Sequence, residues 1–260
     1  MPFKDIIVER EDRTLLIKIN RPEVLNALRK DTFLELEQAL KELSDTDEYW
    51  AMIITGTGDR AFSAGGDIKA LARMDGSDAA SFAAMTHRIL DRLESIPKPI
   101  IAAVNGLALG AGCDLAIACD MVIASEKARF GEPPAGLGIT TPFGGTQRLP
   151  RIVGPKRAKQ LFFTGETIDA EEALGFGLVN RVVKQEELLS ETRKLVEKML
   201  ERAPIAVGYF KQLVNFSSYG SLSEGNKLEQ ELFARCFETE DKTEGMTAFL
   251  EKRKPIFKGR

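Results

Sequence analysis

The sequence holds a single histidine, His87, among 260 residues. One imidazole leaves little from which to build a His-dependent nucleophile triad or a His-rich metal site. It stands among Met85, Ile89 and Leu90 and reads as a surface or boundary side chain. Cysteine is almost as scarce. Cys113, Cys119 and Cys236 are too few, and odd in number, for a disulfide framework; they read as reduced core residues of a cytosolic-type protein. No apolar run is long enough for a membrane span and no N-terminal signal pattern is visible. The expectation is therefore a cytoplasmic protein without a membrane partner. An excess of one charge is also missing: the formal net charge is -3, which argues against a nucleic-acid surface. No Gly-Lys-Ser/Thr tripeptide of a phosphate loop occurs. Gly110-x-Gly112 starts a dinucleotide fingerprint, but Leu115 stands where its third glycine belongs.

What the chain does have is 43% hydrophobic residues, enough for a sizeable core in one large domain, with or without a small appendage. Its organising stretch runs from Pro97 to Gly145. Ile100-Ile101-Ala102-Ala103-Val104, bounded by Pro and Asn105-Gly106, has the form of a buried strand. Small residues follow, then an Ala/Leu/Ile run that predicts a buried helix starting near Ala111. Amides at a helix start are unpaired, and Gly and Ala let a ligand approach them. Such a place suits an anion or a developing oxyanion. Asp114 falls in the first turn, where it is either part of that site or a favourable helix-start charge.

Elsewhere, Ile6-Ile7-Val8, Leu15 to Ile19, Ala51 to Thr55, Met121 to Ala124 and Leu178 to Val183 predict strands. Asp31 is placed to cap a helix whose apolar face is Phe33, Leu36, Leu40 and Leu43. Ala61 to Ile68 forms a second cluster of small residues after a strand, hence a second loop of accessible amides. Residues 69–95 look helical with a break at Asp75-Gly76-Ser77. Phe130 to Gly145 is rich in Gly and Pro and long enough to line a site. Asp169 to Glu172 forms a capping box before a short helix ended by Gly175. Amphipathic helices are expected over 186–202, 204–217, 224–238 and 241–252. The division this implies is a mixed core over 1–185 and a helical region over 186–260.

Several motifs in order resemble the crotonase superfamily, and enoyl-CoA hydratase/isomerase proteins within it. They are Asn26-Ala27-Leu28, Phe62-Ser63-Ala64-Gly65-Gly66-Asp67, Ala103-Val104-Asn105-Gly106, Gly110-Ala111-Gly112-Cys113-Asp114-Leu115 and Gly144-Gly145-Thr146-Gln147-Arg148-Leu149. The resemblance covers nearly the whole chain. It implies an α/β crotonase-like spiral of repeated strand-strand-helix turns with a helical C-terminal region. It implies a homotrimer, commonly paired into a hexamer, that takes an acyl-CoA thioester with no further cofactor and no metal. By motif match, the amides of Ala64 and Ala111 would be the oxyanion hole. Ala27, Leu28, Arg29 and the run Phe62, Gly65, Gly66, Asp67 and Ile68 would meet CoA, with Gly110 and Pro134 also among the residues that bind the substrate or its CoA. Phe249 and Lys252 match positions that reach the CoA of a neighbouring subunit.

The same resemblance carries a departure. Hydratases of the family use two Glu residues; the first falls at Asp114 and the second at Pro134, which has no acid-base group. Glu132 lies two residues earlier. Residues two apart in an extended loop face one side, so Glu132 either points inward as the replacement or is a solvated loop carboxylate. The expectation is a lyase that adds or removes water at the 2,3 double bond, with Asp114 and Glu132 as its acid-base candidates. The alternatives resting on Pro134 are an isomerase or hydrolase of a cyclic or branched acyl-CoA, or a weakly catalytic acyl-CoA-binding oligomer.

Overall fold

A computed structural model describes residues 3–260. The chain opens with an antiparallel pair, β1 (Ile6–Glu11) and β2 (Thr14–Ile19), and crosses by helix α1 (Lys30–Asp45) to β3 (Ala51–Gly56). From there each turn of the chain leaves one strand in each of two sheets and returns by helix. The first turn is β3, β4 (Ala61–Ser63) and the helices α2 (Ile68–Leu71) and α3 (Gly76–Ser95). The second is β5 (Ile100–Val104), β6 (Leu107–Leu109) and α4 (Ala111–Ala118). The third is β7 (Met121–Ser125) and β8 (Arg129–Gly131), followed by α5 (Gly145–Val153) and α6 (Pro155–Thr164). Then come β9 (Thr167–Asp169), α7 (Ala170–Gly175) and β10 (Arg181–Val183). The larger sheet has the order β1-β2-β3-β5-β7-β10, and the smaller β4-β6-β8-β9. All pairs but β1-β2 and β8-β9 are parallel. This is the spiral that the motifs implied.

The continuous apolar strands are explained by burial on both faces. Leu15, Ile17, Met52, Ile54, Ile100, Ala102 and Val104 point into the main core with α1 and α3. Leu16, Ala51, Ile53, Ile101, Ala103 and Ile123 point the other way, onto Leu188 and Val196 of α8 (Leu188–Leu200). The remaining helices are α9 (Pro204–Phe216), α10 (Leu222–Cys236) and α11 (Glu240–Leu250). Among the described residues, no helix is long and apolar enough to cross a membrane.

Two buried amides stitch the spiral. Asn105 Nδ2 donates to Gly56 O at 3.1 Å and Gly58 O at 2.8 Å. Asn26 Nδ2 donates to Ala61 O at 2.7 Å and Thr57 O at 3.0 Å. Both side chains thus satisfy the carbonyls of the turn joining β3 to β4, carbonyls that would otherwise be orphaned in the interior. Two local expectations are corrected. Asp31 does not cap α1: the helix starts at Lys30 after Arg29, whose N–H donates to Thr32 Oγ1 at 3.3 Å, and Asp31 sits in the first turn. Cys236 is only half-buried, on α10, whereas Cys113 and Cys119 are core; all three are free. His87 is exposed, as its neighbours suggested.

Candidate active site

Strand register brings the two carboxylates together. In the parallel pair β6-β8, Leu109 stands opposite Gly131, and the Gly110 N–H donates to Gly131 O at 2.9 Å. The residues just past these strand ends, Ala111 to Asp114 on one side and Glu132 on the other, therefore emerge side by side. Helix α4 can start so close to the smaller sheet because of Gly112. A Cβ there would lie 2.2 Å from Ser63 O, so no other residue fits.

Asp114 and Glu132 are both 0% exposed. Among the described residues, Asp114 Oδ1 and both Glu132 oxygens have no hydrogen-bond partner. Buried carboxylates are ordinarily paired, so three orphaned oxygens in one place mark a site. Burial raises the Asp114 carboxyl to about 7, with Thr141, Glu132 and the Arg148 charge pulling the other way. Burial, and then the Asp114 charge, push Glu132 well above its ordinary range. Burial thus favours the protonated form of both carboxyls, and they take up and release protons as a pair. Cys113 is held as a neutral thiol by burial and by Glu132 and Asp114.

The loop after Glu132 supplies the third member. A single-turn helix over Pro133–Leu137 leads into Thr140-Thr141-Pro142-Phe143. The Thr141 hydroxyl donates to Asp114 Oδ2. Gly145, at the start of α5, must lack a side chain: a Cβ would stand 1.6 Å from Asp114 Oδ1. Pro134 is half-buried, its ring 3.7 Å from where a Gly110 Cβ would stand.

The amides fall differently from the motif match. Ala64 N–H is engaged, donating to Leu25 O at 2.9 Å. An engaged amide has no hydrogen left for a ligand oxygen, so on this loop the candidate amide shifts from Ala64 to Gly66. Leu28 bridges Gly66 in parallel, bonding through Gly65 O and the Asp67 N–H at 2.7 and 2.8 Å. In such a bridge the middle residue's own N–H faces away from its partner. The Gly66 N–H therefore faces away from Leu28 and, among the described residues, has no acceptor. Ala111, first in α4, likewise has an unpaired N–H. The two loops touch here, with Ala111 N 3.9 Å from where a Gly65 Cβ would stand.

The expected CoA residues separate into groups. Leu28, with Ala27 just before it, forms an isolated bridge to Gly66, and Ile68 is half exposed two residues further on. Phe62 is wholly buried in the main core, so its ring packs the fold and is closed to a ligand. The Arg29 fork is held by Asp5 at 2.7 Å through both arms. Asp67 caps α2 and pairs with Arg21 at 2.8 Å. Phe249 and Lys252 stand at the outer end of α11, both exposed. Sequence reasoning did not single out Thr141, and it chose the Ala64 amide, which the fold engages. The only available signal was the polar Thr pair inside an otherwise apolar loop.

Two buried, partnerless carboxylates and two unpaired amides are what these loops and the start of α4 present. The comparisons then give the family. The family model for enoyl-CoA hydratase/isomerase matches residues 9–260, and the chain belongs to that family. It is 46% identical over 257 residues to a crotonyl-CoA hydratase of Syntrophomonas wolfei, covering 99% of each. It is 45% identical over 254 residues to a short-chain-enoyl-CoA hydratase of Clostridium acetobutylicum, covering 98% of this chain and 97% of the other. The crystal structure of an enoyl-CoA hydratase from Bacillus anthracis superposes with a TM-score of 0.95 at 36% identity, covering 99% of this chain and 100% of that one.

Proposed function

We propose that this protein is an enoyl-CoA hydratase that adds water across the 2,3 double bond of a short-chain acyl-CoA thioester. The observation that carries this is the pair of buried, partnerless carboxylates, Asp114 and Glu132. The alternatives rested on the lack of an acid-base group at Pro134. Glu132 supplies that group from two residues away, and the relatives' names favour hydration.

In this reading the thioester oxygen sits between the Gly66 and Ala111 amides. Asp114, ionised, takes a proton from water while the water oxygen bonds to the β-carbon. The double-bond electrons move to the thioester oxygen, where the two amides hold the enolate. Glu132 then delivers its proton to the α-carbon as the carbonyl re-forms. Proton exchange within the pair returns both carboxyls to their starting states. One oxyanion donor of this kind is worth about 3–4 kcal/mol of barrier.

Assembly belongs to the same proposal. Phe210, Phe233, Phe249 and Leu250 lie between 65% and 83% exposed on α9, α10 and α11. Apolar exposure of this kind favours contact between copies, in keeping with a homotrimer or hexamer that brings Phe249 and Lys252 to a neighbour's CoA. Three free cysteines suit a reducing cytoplasm.

The test is incubation with crotonyl-CoA and identification of the product. 3-Hydroxybutanoyl-CoA is expected, and Asp114→Asn is expected to lower its formation by about a hundred- to ten-thousandfold with acyl-CoA binding retained. Tight acyl-CoA binding without hydration of any enoyl-CoA would overturn the reading.

A further inference from the structure

Asp114 Oδ2 accepts the Thr141 hydroxyl, while Oδ1 has no partner. The loop that carries Thr141 is fixed independently of that bond. Thr86 Oγ1 of α3 donates to Pro142 O at 2.8 Å, and Arg148 Nη1 of α5 donates to Phe143 O at 2.9 Å. The Phe143 ring stacks on Phe33 at 5.2 Å and meets Phe82 edge-on at 5.8 Å. Pro142 further restricts the backbone of Thr141 before it. With that many anchors, the loop does not need the Thr141 hydroxyl to stay in place.

The other groups around Asp114 leave this role open. Glu132 approaches from the end of β8, and Cys113 lies on the same helix. The Arg148 charge comes from α5 but is taken up by Glu94 at 2.7 Å and Asp91 at 3.3 Å on α3. His87 of α3 stands behind Gly144, with Nδ1 3.7 Å from where a Gly144 Cβ would be. Thr141 is the group placed to donate to Asp114.

We propose that Thr141 is a positioning residue for the reaction: its hydroxyl fixes Asp114 Oδ2 and so leaves Oδ1 as the oxygen that takes the proton from water. The inference rests on the hydratase reading above. A donor on Oδ2 stabilises the ionised carboxylate. It also keeps Asp114, and not Glu132, the ionised member of the pair. Removing the hydroxyl raises the pH at which Asp114 ionises, so the acid limb of the pH-rate profile moves up.

The experiment compares the parent with Thr141→Val, which keeps the shape, and Thr141→Ser, which keeps the hydroxyl. Three quantities are read: kcat/KM for crotonyl-CoA against pH, the Kd of unreactive butanoyl-CoA, and the carbon-13 titration of the Asp114 carboxyl, assigned through Asp114→Asn. Thr141→Val should lose about tenfold or more in kcat at pH 7, as expected for a lost hydrogen bond to a charged group. Its butanoyl-CoA Kd should stay within about twofold, and both the acid limb and the carboxyl titration should rise by roughly one pH unit. Thr141→Ser should restore all three. A Thr141→Val protein with the parent's acid limb and carboxyl titration would overturn the inference. So would a Thr141→Ser protein as impaired as Thr141→Val. If the valine variant does not fold, Thr141→Ala makes the same comparison. Absence of turnover in the parent would defeat the hydratase reading alone, because the carboxyl titration judges Thr141 without catalysis.

Discussion

Asp5 and Asp114 are both buried aspartates, 2% and 0% exposed, yet they end in opposite states. Asp5 accepts both arms of the Arg29 fork and the Thr32 hydroxyl, each at 2.7 Å, with Arg21 a further 3.9 Å away. Burial pushes its carboxyl up, but those hydrogen bonds and charges outweigh burial and hold it below the ordinary range. Asp114 has one hydroxyl donor and a second carboxyl for company, so burial prevails and its carboxyl rises. A saturated carboxylate is an inert brace joining the N-terminal strand to α1. An unsaturated one can exchange a proton. The difference lies in the supply of donors and not in depth of burial.

The comparison can be broken at several points. The largest effect is expected at Glu132, the proposed proton donor. Glu132→Gln keeps the shape but cannot deliver a proton, and should lower crotonyl-CoA hydration by about a hundred- to ten-thousandfold. Steady-state kinetics at pH 7 with measured acyl-CoA binding decides this; activity within a few-fold of the parent would make Glu132 a structural residue. Next is Gly145→Ala. The added methyl would meet Asp114 Oδ1 and displace the carboxylate, and a shift of about 1 Å in such a group typically lowers turnover about a hundredfold. A kcat loss with an intact fold by circular dichroism is expected.

On the inert side, Asp5→Ala leaves the Arg29 fork and Thr32 without their acceptor. About 2–3 kcal/mol of stability should be lost, less than for a wholly buried pair because Arg29 is partly exposed. Urea denaturation measures it, and kcat should hardly change. The smallest effect is a gain. Glu132 has a raised carboxyl pKa in the folded state, so below about pH 4, where the unfolded chain also keeps its proton, burial carries no ionisation penalty. As pH rises, the unfolded parent ionises while the folded one resists, and the parent loses stability. Glu132→Gln escapes this and should be more stable by roughly 1 kcal/mol near pH 8. Melting temperatures that differ equally at pH 4 and pH 8 would contradict the account.

Local pattern was enough for much of the molecule. The apolar runs at Ala51 and Ile100 are strands because both faces are covered, and such runs need no partner to be recognised. The start of α4 at Ala111 follows from the small residues before it, and the Asp169-Glu172 capping box from four adjacent residues. The helices from Leu188 onward follow from their own periodicity. The ordered motifs carried the family. All of these depend on residues near one another in the chain, where propensity and alternation act directly.

What tertiary structure alone decided depends on register between distant strands. Glu132 is inside because Gly131 pairs with Leu109, 22 residues away by number, and not because an extended loop alternates. Gly66, and not Ala64, has the unpaired amide because Leu28 bridges Gly66 while Leu25 takes the Ala64 N–H. Thr141 reaches Asp114 because Phe143 is drawn between Phe33 and Phe82. A shift of one residue in any of these pairings reverses which side chain or amide faces the site. Chemistry here is set by which donors are left over once the fold has taken its share, and that remainder exists only after every strand has found its neighbour.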